Sequence, residues 1–354
     1  MRARLAIASA VTALTVLATA VPAVACGGLV GENGTIQLER TTTLAAYHDG
    51  VEHYVTSFQF SGEGQAVGSI IPLPGVPSVV ERGGDWTLQR LEREVAPPVS
   101  NQFAAAEATA APRSDATVLY QTTIDALDIT ILQGGGTEVG KWAIDNGFLL
   151  TPDAPEVLDY YSQRSPIFMA ARFDAAAAEA RGQDSGDGTP IELTIPTDRP
   201  WVPLRILGLG LDADRPVQAD VFLLTDNRPQ LLAGSHGLEL KRSEPANQQL
   251  LDDLRSDKNM DWVPSSEWFT YLAVNAKAGD LKYDLATSVD SSQRPMARDA
   301  GFTTHDLSLG RAPVPVPDPS AMAWWQWPVA VLMVGVAAIG LVIVFRRRPS
   351  WWRA

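Results

Sequence analysis

The chain has 354 residues, 45% hydrophobic and 19% charged, which is ordinary for a protein with a packed core. All 41 acidic residues but only 22 of the 28 basic ones fall between Cys26 and Ala323, giving that stretch a net charge near −19. Such a field excludes nucleic acid and anionic lipid as partners of its surface, and the single cysteine, Cys26, excludes an intrachain disulfide.

The first 25 residues read as a secretory signal peptide. Arg2 and Arg4 precede an apolar run, Leu5 to Ala20, and Ala23-Val24-Ala25 forms an A-x-A cleavage site before Cys26. Read instead as an uncleaved membrane helix, the run is short and Ala-rich. Cys26 at the new N-terminus is a possible lipidation site. The usual lipobox leucine three places upstream is missing, however, and the alternative is a free or intermolecularly paired thiol.

Thr35–Tyr47 and Val51–Phe60 are rich in β-branched and aromatic residues, with Asp49-Gly50 near the turn, so a β-hairpin is expected. An apolar run from Ala66 to Ile71 stops at Pro72-Leu73-Pro74-Gly75. Asp85 should cap a short helix carrying Leu88 and Leu91. Residues 99–116 lack an apolar period and read as a mobile loop within the domain.

Strands are expected at Thr117–Thr122 and Asp128–Leu132. A helix capped by Thr137 and stopped at Asn146-Gly147 follows, then a second helix from Pro155 to Tyr161. Further strands are expected at Pro166–Phe173, Ile191–Ile195, Val202–Leu207 and Val217–Leu224, with Phe269–Val274 and Leu281–Val289 also extended. Asn247–Arg255 has helical period. This mixture without βαβ alternation predicts an α+β ectodomain, 26–310, with mixed, mainly antiparallel strands and a few short helices.

A Pro-rich spacer, 311–323, leads to one C-terminal transmembrane helix, 324–345. From Pro328 to Phe345 there are 18 uncharged residues, about 27 Å of helix against a hydrocarbon core of about 30 Å. Trp324, Trp325 and Trp327 flank one side, Trp351 and Trp352 the other. Arg346, Arg347 and Arg348 mark the cytoplasmic face and open a tail of residues 346–354. The expected localisation is the bacterial cell membrane, single-pass type I, with the N-terminal domain outside.

The order of segments carries a family resemblance. Ala25-Cys26-Gly27-Gly28 ends the signal, and Ile71-Pro72-Leu73-Pro74-Gly75 follows the hairpin. Lys141-Trp142-Ala143-Ile144-Asp145-Asn146-Gly147-Phe148, Tyr160-Tyr161 and Trp201-Val202-Pro203-Leu204-Arg205-Ile206 come later. Over Cys26 to Arg228 the chain resembles the bacterial family called domain of unknown function 2330. The resemblance implies an envelope-located protein without an assigned activity, so no functional residue is carried over. Members often have a second cysteine after Cys-Gly-Gly, where this chain has Leu29-Val30-Gly31.

Chemistry-bearing residues are sparse. Ala233-Gly234-Ser235-His236-Gly237 is a relaxed nucleophile elbow that makes Ser235 the one catalytic candidate. An elbow needs a helix after it, whereas Leu238–Lys241 alternates like a strand, and His305 is the one histidine further downstream. His48 and His53 flank the hairpin turn on one face and are the metal-ligand candidates, although no third ligand has diagnostic spacing. Asp184-Ser185-Gly186-Asp187-Gly188 lacks the ligand spacing of a calcium loop. No cofactor motif is present. The reading is a non-enzymatic envelope protein that binds a protein or envelope component, with the bilayer as partner of its C-terminal helix. The alternative is a membrane-anchored hydrolase.

Overall fold

The computed structural model describes residues 28–31, 37–61, 66–95, 116–182, 188–234, 236–288 and 294–316. The expected signal peptide, Cys26, residues 99–115, the Asp184–Asp187 loop, Ser235 and the expected membrane helix with its flanking tryptophans and arginines lie outside the described residues. Among the described residues no helix is long and apolar enough to cross a membrane.

The chain begins with β1 (Gly28–Gly31), β2 (Gln37–His48), β3 (Val51–Ser61), β4 (Ala66–Leu73) and β5 (Val79–Arg82), followed by α1 (Thr87–Val95). Next come β6 (Thr117–Ile124), β7 (Leu127–Gln133), α2 (Gly136–Asp145), α3 (Ala154–Ser162), β8 (Ile167–Asp174) and α4 (Ala175–Ala180). The rest comprises β9 (Ile191–Pro196), β10 (Trp201–Val202), β11 (Pro216–Thr225), β12 (Leu231–Ala233), β13 (Leu238–Pro245) and α5 (Gln248–Ser256). Last are β14 (Trp268–Lys277), β15 (Leu285–Thr287), α6 (Thr304–Ser308) and β16 (Val314–Pro315).

A seven-stranded sheet runs β13-β14-β11-β2-β3-β9-β5, antiparallel apart from the parallel pair β2–β11. A five-stranded antiparallel sheet runs β1-β4-β8-β7-β6. Their facing sides share a core in which Tyr54, Leu193, Val221 and Leu272 meet Ile71, Ile129, Ile131 and Met169. Helices cover both outer faces. Leu88 and Leu91 of α1 and Leu250 and Leu254 of α5 pack on Leu44, Val55, Phe222 and Phe269. Val139 and Trp142 of α2 and Leu158 and Tyr161 of α3 pack on Leu132 and Phe168. The result is a four-layer α/β/β/α sandwich, so the α+β class read from the sequence holds. In β8 the run Ile167–Ala171 is unbroken apolar because both of its faces are covered, and Arg172 interrupts it toward the end of the strand.

Local chemistry sets several boundaries. Asp49 (φ 49°) and Gly50 (φ 81°) both take the left-handed conformation that a two-residue hairpin turn requires, as their sequence predicts. The expected strand Val202–Leu207 ends at Val202, and Arg205–Gly208 is a 3-10 turn, because the Leu204 and Arg205 N–H groups bond to Asp284 instead of a ladder. Among the described residues of the expected extended stretch Leu281–Val289, the strand is Leu285–Thr287. Helix α1 is not capped by Asp85, whose side chain pairs with Arg82. Distant Asp257 accepts from Asp85 N, Trp86 N and Thr87 Oγ1. Helix α2 starts at Gly136 without a Thr137 side-chain cap. A Cβ at Gly136 would lie 2.4 Å from Asp159 N, so this glycine lets α2 approach α3. The first residues of the Pro-rich spacer are part of the fold, with Val314 and Pro315 paired to Ala233 and Leu232 in a small sheet, β10-β15-β12-β16.

Candidate functional site

Strand adjacency lines up three ligand-type side chains at one end of the large sheet. Thr225 on β11 lies opposite Tyr47 of parallel β2 and opposite Trp268 of antiparallel β14. One step outward on the three strands are Asp226, His48 and Glu267. By alternation they share the face of Leu44, Phe222, Leu224 and Phe269. One donor atom from each lies within 4.8 Å of the others. His48 Nδ1 is hydrogen-bonded to Asp226 Oδ1 and is 3.8 Å from Glu267 Oε1, while Nε2 is 3.3 Å from Asp49 Oδ2.

The three differ in exposure. The His48 and Asp226 side chains are 42% and 40% exposed, but that of Glu267 is 1% exposed. Among the described residues, neither Glu267 carboxyl oxygen has a hydrogen-bond partner. Burial and the neighbouring Asp226 push its carboxyl up to about 7, with His48 acting the other way. The hydrogen bond to Asp226 raises the His48 imidazole above its ordinary value, despite some desolvation.

His53 does share the His48 face, as the hairpin register requires, but it serves a different group. Its Nδ1 is 3.0 Å from Glu192 Oε1 on β9, and its ring stacks on Trp262 at 3.8 Å and 7°. The two imidazoles bond toward the strands on opposite sides of the hairpin. Sequence reasoning found His48 but missed Asp226 and Glu267. Their only signal was that each is a carboxylate at the end of an apolar strand. On the opposite face of β3, Glu52 is fully enclosed between the sheets, and burial alone pushes its carboxyl up to about 8.

Ser235 lies outside the described residues, but the element after it is strand β13, not the helix an elbow requires. The aromatics Trp142, Tyr161 and Trp201 are buried.

A second feature is a cleft of about 540 Å³ whose lining includes Tyr160, Arg164, Arg199, Trp201, Arg298 and Asp299. Its wall is fixed by Asp284, which is fully buried. Asp284 accepts from Tyr161 Oη at 2.8 Å, Leu204 N at 2.7 Å, Arg205 N at 2.9 Å and the Arg164 guanidinium. That guanidinium lies 3.8 Å over the Trp201 ring. Burial and Asp284 hold the Tyr161 hydroxyl well above its ordinary value, so it donates at neutral pH. Arg199 and Arg298 are half exposed, with their carboxylate neighbours Asp198 and Asp299 at 3.9 and 3.7 Å.

These features define an α+β sandwich protein carrying a polar cleft and a separate nitrogen-and-oxygen donor cluster. Residues 20–233 match the model of a family described as "Uncharacterized protein conserved in bacteria (DUF2330)", and the chain belongs to that family. His48 and Asp226 fall within the matched span and Glu267 beyond it. A comparison with curated proteins finds no match. Among solved structures, baculovirus P35 aligns at 11% identity and a TM-score of 0.39, over 72% of this chain and 98% of its own. A mutated baculovirus P35 after caspase cleavage aligns at 9% identity and a TM-score of 0.35, over 71% and 99%. Likeness at this level carries no argument about function.

Proposed function

We propose that the chain is a membrane-tethered binding protein of the bacterial envelope, whose extracytoplasmic domain holds a small anionic ligand in the Arg199–Arg298 cleft. One observation carries this reading. In a stretch with a net charge near −19, three arginines converge on one cleft of about 540 Å³, a size that encloses a small molecule. Arg164 is neutralised by Asp284, whereas Arg199 and Arg298 form looser ion pairs, at 3.9 and 3.7 Å, with Asp198 and Asp299 of the same cleft, beyond hydrogen-bond length. Their guanidinium groups are therefore available to pair with a carboxylate or phosphate. The Ala23-Val24-Ala25 cleavage signal, the apolar C-terminal run and the arginines after it support the envelope location.

The test is a thermal-shift titration of the full chain in mild detergent with citrate and with inorganic phosphate, against chloride at equal ionic strength. At least one anion should raise the melting temperature of the wild type, and the double variant Arg199→Ala/Arg298→Ala should lose that rise. An equal shift in the double variant, or no shift beyond that of chloride, contradicts the reading.

A further inference from the structure

We propose that His48, Asp226 and Glu267 form a binding site for one divalent first-row transition-metal ion. The argument starts from Glu267. Its carboxyl is 1% exposed, and neither oxygen accepts or donates a hydrogen bond. A buried polar group without partners carries an uncompensated desolvation cost. Most other buried carboxyls of the fold are supplied with donors: Asp284 by Tyr161, Arg164 and two backbone N–H groups, Asp257 by the start of α1, and Asp125 by Arg82. Glu52 shares the lack of partners, but it faces the interior of the sandwich. Glu267 instead faces an imidazole nitrogen and a second carboxylate.

The arrangement matches what a metal ion requires. Ligands about 2.0–2.2 Å from a tetrahedral ion stand roughly 3.4 Å apart. His48 Nδ1 and Glu267 Oε1 are already 3.8 Å apart, and the three donor atoms lie within 4.8 Å of one another. Only side-chain adjustment is needed, and it falls on the two half-exposed residues, which also give the ion a route in from solvent. The His48–Asp226 hydrogen bond would be replaced by two metal bonds, with release of any shared proton. Asp49, 3.3 Å from Nε2, is placed to accept that ring N–H and so hold Nδ1 toward the ion, the carboxylate–histidine arrangement common behind metal ligands. One imidazole and two carboxylates suit Zn²⁺ or Mn²⁺, whereas Ca²⁺ and Mg²⁺ favour all-oxygen sets. Because the ligands sit at the end of β2 and directly beside the ends of β11 and β14, the ion would tie together three strands distant in sequence.

The test uses the full chain, stripped with a chelator and titrated calorimetrically with ZnCl₂, MnCl₂ and CaCl₂. The expected result is one equivalent of Zn²⁺ or Mn²⁺ at micromolar or lower Kd, with Ca²⁺ at least about 10-fold weaker. Glu267→Gln should weaken binding at least about 10-fold while circular dichroism stays unchanged. Should that variant fail to fold, Asp226→Asn serves in its place, because its side chain is half exposed and its loss leaves the core intact. Binding weaker than millimolar, equal affinity in a folded variant, or Ca²⁺ bound as tightly as Zn²⁺ overturns the proposal.

Discussion

Asp284 and Glu267 are equally cut off from water, yet their surroundings are opposite. Asp284 is ringed by donors: the Tyr161 hydroxyl, the Arg164 guanidinium and the N–H groups of Leu204 and Arg205. Glu267 faces the acceptor Asp226 and the His48 ring, with no donor within hydrogen-bond length. Burial alone therefore does not distinguish a structural carboxylate from a site; the supply of donors does. The first carboxyl organises the wall of a cleft, and the second leaves its coordination to a ligand from outside.

The largest effect should come from breaking the satisfied partner. Asp284→Asn leaves the Arg164 charge buried without its counter-ion and should cost about 3–5 kcal/mol of unfolding free energy by urea denaturation. A cost below about 1 kcal/mol would remove the distinction between the two carboxyls. Glu52 sharpens the comparison as a buried carboxyl with neither a donor nor a ligand partner. Its carboxyl is pushed from the usual 4.5 to about 8 when folded, so the folded state holds a proton that the unfolded chain has released. Stability should be fully present below pH 4.5 and should fall toward pH 8, by at most about 1.4 kcal/mol per pH unit from this group. Glu52→Gln should flatten that slope in urea melts across the same range, and an unchanged slope would contradict it.

A smaller effect is expected at Asp257, the donor-supplied carboxyl that caps α1. Asp257→Ala strands the Asp85 and Trp86 N–H groups and the Thr87 hydroxyl, and should cost about 1–3 kcal/mol in thermal unfolding. The smallest effect should come from Asp49→Asn, which leaves the hairpin turn in place. It should lower Zn²⁺ affinity by about 10-fold through loss of its hold on His48, with no change in melting temperature of the metal-free chain.

Several local features were legible in the sequence. Asp49-Gly50 specifies its turn through two positive φ values, Pro155 in the first turn places α3, and the apolar period places α5. The strand at Pro166–Phe173 was legible from its apolar run, but not the elements that cover its two faces. Capping of α1 was misassigned because the acceptor, Asp257, lies 172 residues from Asp85. The same limit applied to the metal cluster. His48 stood out as a histidine beside a turn, but its neighbour Asp226 is 178 residues away and is adjacent only because β11 pairs in parallel with β2. His53 looked like the natural partner through proximity in sequence, yet Glu192 and Trp262 occupy its polar edge and its ring face.

The most direct test of the difference between the two carboxyls is thermal unfolding of Glu267→Gln with and without Zn²⁺. If Glu267 awaits a cation, the metal-free variant should melt at or above the wild-type temperature, and Zn²⁺ at a concentration that just saturates the wild type should raise the wild type more than the variant. A metal-free variant that melts well below the wild type, together with a wild type unmoved by Zn²⁺, would contradict the account.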